Sequence, residues 1–105
     1  MKFLVTGRMP LAEGNRLIKS GKLAGTLQAA LEAVKPDAVY FGLKDGQRAM
    51  YAIVEMSDAS QLPAVCEPLF LTFGGDIECI PVMTQQDLGK AGPAIEASVK
   101  KFGSQ

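Results

Sequence analysis

The sequence predicts an α+β domain in which a four-stranded antiparallel sheet carries two main helices on one face. Four segments alternate apolar and polar residues with a period of two, which is typical of strands. Two segments between them repeat apolar residues every three or four positions, which is typical of amphipathic helices. With 105 residues, 48% of them hydrophobic, the chain can form one core and has no room for a second. We therefore expect a single domain over residues 1–105.

The first half of the chain begins with a strand and continues as a helix. Residues 2–9 alternate, and Pro10 ends the strand. Residues 11–34 have a helical period. Three glycines weaken the first part of this segment, since each costs about 1 kcal/mol relative to alanine. We expect residues 22–34 to be the regular part of the helix, and the preceding part to divide into a short helical turn and a loop.

An Asp-Gly pair predicts a hairpin between residues 38–43 and 48–56. If Asp45 and Gly46 are the central residues of a type I′ turn, Lys44 faces Gln47 and the register follows by counting outward. The face expected to meet the helices pairs Leu43 with Arg48, Phe41 with Met50 and Val39 with Ala52. The opposite face pairs Gly42 with Ala49, Tyr40 with Tyr51 and Ala38 with Ile53.

The second half of the chain predicts a helix, a strand and appended helices. Asp58 and Gln61 form a capping-box pattern before the second main helix, which Pro68 is expected to kink or end. Residues 76–83 alternate and predict the fourth strand. A capping-box variant at residues 84–87 opens a helical turn. A terminal helix then carries Ile95, Val99 and Phe102 on one face.

This order of elements is the split β-α-β arrangement of ferredoxin-like folds. Right-handed crossovers place both main helices on one face of the sheet, so the other face is left bare. The bare face is predicted to be apolar, and its apolar area is larger than soluble monomers usually expose. We expect a second copy of the chain to cover it, giving a homodimer through the sheet faces. The apolar residues predicted on this face are Leu4, Tyr40, Tyr51, Ile53, Ile80 and Val82.

Three stretches of the sequence carry a family resemblance. The opening Met-Lys-Phe-Leu-Val-Thr-Gly-Arg, the hairpin through Asp45-Gly46, and Ile80-Pro81-Val82-Met83-Thr84 resemble small uncharacterised bacterial proteins of the dimeric α/β-barrel superfamily. The resemblance implies two ferredoxin-like protomers packed sheet against sheet. Architectures of this type occur in muconolactone isomerases, cofactor-independent monooxygenases, haem-binding enzymes and ligand-sensing domains, so the resemblance transfers a fold rather than an activity.

Six polar side chains are predicted on the bare face, within a mostly apolar surface. A chamber of this composition is typical of small-ligand sites. Burial raises the pKa of a carboxyl group and a nearby arginine lowers it, so the balance decides whether a glutamate can act as a base. A tyrosine is suited to donating to a developing oxyanion. The candidate ligand-binding residues are Thr6, Arg8, Tyr40, Tyr51, Glu55 and Glu78.

Three interpretations of this cluster stay open. It binds a small, partly apolar molecule; it belongs to a cofactor-independent isomerase or monooxygenase-like enzyme; or the chain is a non-enzymatic assembly module. In the last case Arg8 pairs with Glu55 or Glu78 as a charge clamp across the dimer, and the tyrosines simply pack.

The amino-acid composition argues against several classes of function. Eleven Lys and Arg balance eleven Asp and Glu, which argues against nucleic acid or membrane partners. The chain has no His, so Ser-His and Cys-His couples and His-bound metals are absent, and we expect no metal and no cofactor. Cys66 and Cys79 lack a C-x-x-C spacing and are expected to be buried free thiols. The stretch after Lys2 lacks the apolar region of a secretory signal, so we expect a cytoplasmic protein.

Overall fold

The computed structural model describes residues 1–104 and confirms the predicted α+β fold. Its four strands form one antiparallel sheet in the order β2-β3-β1-β4, as expected for a ferredoxin-like split β-α-β topology. A short 3-10 turn, Ala59–Gln61, precedes the third helix. The elements are β1 (Lys2–Met9), α1 (Leu11–Lys19), α2 (Leu23–Val34), β2 (Ala38–Lys44), β3 (Gln47–Glu55), α3 (Leu62–Phe73), β4 (Ile77–Val82), α4 (Gln85–Lys90) and α5 (Gly92–Phe102).

The hairpin has the register predicted from its Asp-Gly turn. Asp45 and Gly46 have φ angles of 52° and 77°, the left-handed conformation that a type I′ turn requires at both central positions. Lys44 lies opposite Gln47, and all the pairs counted outward from them are formed. Met50 is therefore fully buried under the helices, whereas Tyr40 on the other face is 67% exposed.

The core lies between one face of the sheet and helices α1, α2 and α3. Leu69 and Phe73 of α3 pack into it beside Met50 and Val54 of β3. Met56 is also buried there. We call the other face of the sheet, which has no helix packed on it among residues 1–104, the open face.

Two helical predictions need correction. The division expected within residues 11–34 is confirmed, since Gly21, with φ 73°, makes the turn before α2, but α1 is a helix of nine residues rather than a short helical turn. Pro68 does not end α3, which continues to Phe73. Proline removes one backbone hydrogen-bond donor from the helix. Val65, Leu69 and Phe73 are all buried on the same side of α3, and their packing keeps the segment helical although this hydrogen bond is missing.

The C-terminal helices extend away from this core. Thr84 and Asp87 form the capping box of α4, as predicted, and every residue of α5 is exposed. The Cα radius of gyration is 17.7 Å, and the longest dimension is 60 Å. A compact chain of this length would have a radius of gyration of about 13 Å. We call residues 84–102 the C-terminal arm. No helix within residues 1–104 is long and apolar enough to cross a membrane.

Candidate functional site

Four of the six predicted site residues form one row across the open face. The backbone pairing places Tyr40 opposite Tyr51, Tyr51 opposite Thr6, and Thr6 opposite Glu78, so that each strand contributes one member. Side chains directly opposite one another on the same face of an antiparallel sheet lie within contact range. The structure thus brings together residues that are as much as 72 positions apart in the sequence.

The middle of this row is sheltered even though no helix covers it. Thr6 is only 5% exposed. Lys44 and Glu78 belong to the two opposite edge strands, and their Nζ and Oε1 atoms are nevertheless 3.7 Å apart. The hydroxyl of Tyr51 donates to the carbonyl oxygen of Leu43 at 3.1 Å. Side chains from the edges of the sheet therefore reach inward over Thr6.

Arg8 lies one row from Thr6 and is held by two acidic residues. Its Nη1 donates to Oδ2 of Asp45 at 2.8 Å, and its Nη2 donates to Asp76. Asp45 is in the hairpin turn and Asp76 immediately precedes β4, so Arg8 ties these two loops together. Within residues 1–104, Arg8 pairs with neither Glu55 nor Glu78. Around the row, the two cations Arg8 and Lys44 pair with three carboxylates, those of Asp45, Asp76 and Glu78.

Glu55 lies away from the other five candidates. It is opposite Lys2 at the other end of the sheet. Its Oε1 accepts from the amino terminus at 2.5 Å, and its Oε2 is 3.2 Å from Nζ of Lys2. The amino terminus, and secondarily Lys2, lower the pKa of Glu55. This carboxylate is therefore a weaker base than an ordinary glutamate.

A cleft of about 660 Å³ lies at the Glu55 end of the sheet, where β4 leads into α4. Its walls combine the ion pairs of Lys2 with the cap of α4. Every charged group that this cleft presents is engaged: Lys2 with Asp37 and Glu55, and Asp87 with the backbone of Thr84. We therefore interpret the cleft as the place where the sheet meets the C-terminal arm, rather than as a ligand site.

The two cysteines are free and only half-buried, rather than buried as expected. Cys79 lies on the helix side of the sheet, as predicted, where it packs against the same core as Cys66 of α3. Burial raises the pKa of both thiols. Neither is activated as a nucleophile, since that requires a lowered pKa.

Sequence reasoning assigned no role to two basic residues, Lys44 and Arg48. Lys44 was considered only as the residue facing Gln47. Arg48 was placed, correctly, on the face that meets the helices. The sequence signal that distinguishes Arg48 is its charge at a core-facing position of the strand. The next core-facing positions, at intervals of two residues, hold the apolar Met50, Ala52 and Val54.

The fold and the polar row define a small α+β protein of ferredoxin-like topology with a row of candidate site residues on its uncovered sheet face. Residues 1–96 match the family described as "Domain of unknown function (DUF3303)", and the chain belongs to this family. No curated protein matches the chain.

Proposed function

We propose that the chain forms a homodimer in which the open faces of two sheets pack together, as in dimeric α/β barrels, and enclose a chamber that binds a small, partly apolar molecule. The observation that carries the proposal is an apolar row beside the polar one. Ala38, Ile53, Leu4 and Ile80 lie directly across the four strands. Ile80 is 44% exposed, and Leu4, Ala38 and Ile53 are half-buried.

The C-terminal arm supports the same assembly. Ile95, Val99 and Phe102 form an apolar stripe on α5 and are between 51% and 61% exposed. A helix of eleven residues is marginal in water unless tertiary packing stabilises it. A second copy of the chain supplies the missing surface for both the arm and the apolar row, since two-fold dimers pair identical surfaces.

The charges around the polar row limit the class of ligand. Arg8 is already neutralised by Asp45 and Asp76, and Lys44 by Glu78. An anionic ligand would have to displace these carboxylates. We therefore propose a neutral or cationic molecule that packs on Leu4, Ile53 and Ile80 and hydrogen-bonds to Tyr40, Tyr51 or Glu78.

Two other functions follow from the same surface. A cofactor-independent isomerase or monooxygenase-like activity would rely on Glu78 as the base, because Glu55 is held by the amino terminus and Lys2. A non-enzymatic assembly module is favoured by the pairing of Arg8 with Asp45 and Asp76 and of Lys44 with Glu78, which uses these charges within one chain, although Arg8 is then not free to clamp a dimer. Free thiols at Cys66 and Cys79 are typical of reducing compartments and support a cytoplasmic location.

Oligomeric mass tests the dimer. Light scattering coupled to gel filtration should give twice the chain mass of 11.1 kDa. Ile80→Lys places a charge in the proposed interface and should shift the population to monomer. Ile18→Lys is the matched control, since Ile18 on α1 is similarly exposed, at 47%, and lies on the helix side of the molecule. A wild-type monomer, or equal effects of the two variants, contradicts the proposal.

Thermal-shift screening with small aromatic and lactone compounds tests the chamber. A compound that binds the folded state raises the melting temperature, and the rise is larger the further its concentration exceeds its dissociation constant. Tyr40→Phe and Tyr51→Phe should reduce the shift for a compound that binds there, and Glu55→Gln should leave it unchanged. If no compound stabilises the dimer, the assembly module becomes the better description.

A further inference from the structure

An apolar groove lies on the helix side of the sheet, between helix α2 and the edge strand β2. It consists of two adjoining cavities of about 240 Å³ and 480 Å³, which share Leu27 and Phe41 in their walls. Phe41 is on the face that meets the helices, yet it is 57% exposed, so the helices leave this edge of the sheet uncovered. Half-buried Leu23 and Leu31 continue the apolar wall along α2. We call this feature the α2–β2 groove.

Helix α5 of the C-terminal arm carries an apolar stripe of matching length. Ile95, Val99 and Phe102 follow one another at four and three residues, so they share one face of the helix, and all three are exposed. At a rise of 1.5 Å per residue this stripe is about 10 Å long, and the stripe from Leu23 to Leu31 on α2 is about 12 Å long. The two stripes can therefore pack along their whole length.

The charges beside the two stripes are complementary. Lys100 and Lys101 lie in the last turn of α5, next to Phe102. Glu32 is exposed at the wall of the groove, next to Leu31. None of the ion pairs within residues 1–104 includes Glu32 or either lysine. When Phe102 packs at the Leu31 end of the groove, the basic end of α5 comes next to this carboxylate.

The topology of the sheet favours the groove of a second copy over the arm's own groove. The arm continues from β4, whereas the groove borders β2, which is the opposite edge of the sheet. In a face-to-face dimer whose two-fold axis runs along the strands, β4 of one sheet lies over β2 of the other. Packed sheets are about 10 Å apart, and α4 and α5 together span about 25 Å. The arm is therefore long enough to pass the edge of the second sheet and reach its groove.

We infer that α5 of each protomer docks in the α2–β2 groove of a second copy, so that the two chains exchange arms. The inference rests on the proposed homodimer and specifies what covers the arm. Two-fold symmetry makes the two docked arms identical. Docking removes the stripe of α5 and the ring of Phe41 from water together, and it provides the tertiary packing that a helix of eleven residues needs.

Disulfide trapping between two differently tagged full-length chains tests the exchange. Both chains carry Cys66→Ser and Cys79→Ser; one also carries Phe102→Cys and the other Phe41→Cys. Docked thiols have an effective concentration of about millimolar, so at micromolar protein the mixed disulfide should form at least about tenfold faster than with Leu71→Cys in place of Phe41→Cys. Leu71 is the matched control, because it is 84% exposed on α3 and lines neither cavity.

Equal rates for Phe41→Cys and Leu71→Cys would overturn the inference. A disulfide that forms within one chain carrying both Phe41→Cys and Phe102→Cys would also overturn it, since the arm would then occupy its own groove. Light scattering of the wild-type protein separates this failure from that of the proposed function. A wild-type dimer without the preferred disulfide keeps the homodimer and excludes only the exchange of arms, whereas a wild-type monomer excludes both.

A charge reversal tests the direction of the docked helix. Glu32→Lys in the chain that carries Phe41→Cys should slow the trapping about two- to fivefold, the effect of an exposed ion pair. Lys100→Glu combined with Lys101→Glu in the other chain should restore the rate. A reversal that fails to restore it would contradict this placement of α5.

A tryptophan reporter tests the same contact with both native cysteines in place. The chain has no Trp, so Phe102→Trp introduces a single fluorophore on the stripe. Its emission should be blue-shifted relative to that of the protein unfolded in urea. Adding Phe41→Asp should remove this blue shift, whereas adding Leu71→Asp should preserve it. Emission that does not respond to Phe41→Asp would show that α5 is not in the groove.

Discussion

Replacing Gly46 by alanine tests the hairpin turn on which the positions of the site residues depend. Gly46 has a φ of 77°, and no heavy atom lies within 4 Å of the position that an added Cβ would occupy. The substitution therefore causes no clash, and its effect comes from the backbone conformation. A non-glycine residue in the left-handed region costs roughly 1–2 kcal/mol. Reduced freedom of the unfolded chain offsets about 0.4–1 kcal/mol of this.

The net loss should therefore be about 1 kcal/mol, which corresponds to a melting temperature lower by roughly 4–8 °C for a domain of this size. Gly25→Ala is a matched control with the opposite expected sign. Gly25 also has open space around it but lies inside α2 with an ordinary helical backbone. Alanine there should stabilise the protein by about 0.5–1 kcal/mol. Urea denaturation of both variants measures the two free energies, and shifts of the same sign would refute the assigned turn.

Three further predictions concern the core, the exposed carboxylates and the thiols. Leu69→Ala should cost about 2–5 kcal/mol because Leu69 is fully buried; Leu71→Ala, at an 84% exposed position of the same helix, should change the free energy of unfolding by less than about 0.5 kcal/mol. The amino terminus lowers the pKa of Glu55, and the Ser60 backbone amide lowers that of Asp58. Their stabilising contribution is therefore present above the unfolded pKa values of about 4 and is lost as the pH falls through the lower folded values, so urea midpoints should decrease in that range. A flat acid profile would contradict the ion pair of Glu55 and the hydrogen bond of Asp58. Because burial raises the pKa of the Cys66 thiol, iodoacetamide should react with it more slowly in the folded protein than in urea, and equal rates would show that the thiol is not shielded.

The sheet was predictable from the sequence because local signals determine it. The Asp-Gly pair sets the register of the hairpin, and alternation then assigns each strand residue to a face. The row of Tyr40, Tyr51, Thr6 and Glu78 follows from the same counting together with the order of the strands. Whether Pro68 ends α3 or only interrupts its hydrogen bonds could not be decided from the sequence, since burial of the surrounding residues decides it.

Alternation gives the face of a residue but not its distance along the strand from another residue. For this reason Glu55 was grouped with Arg8 and Thr6, although it lies near the opposite end of the sheet. Side-chain contacts between elements that are distant in the sequence also could not be predicted. The packing of Cys66 and Cys79 against the same core, and the position of Arg48 over Gly14, depend on how helices pack on the sheet.

The order of the strands has a consequence for self-association. In the sheet β2 and β4 are the edges, and their outer backbone groups are available for pairing with another chain. Pro81 lies within β4 and has no N–H to contribute, which protects that edge. Residues Val39–Leu43 of β2 contain neither proline nor charge. Unwanted fibrillar growth at high concentration would therefore start from β2, and a lysine in place of Leu43 is the simplest way to block it.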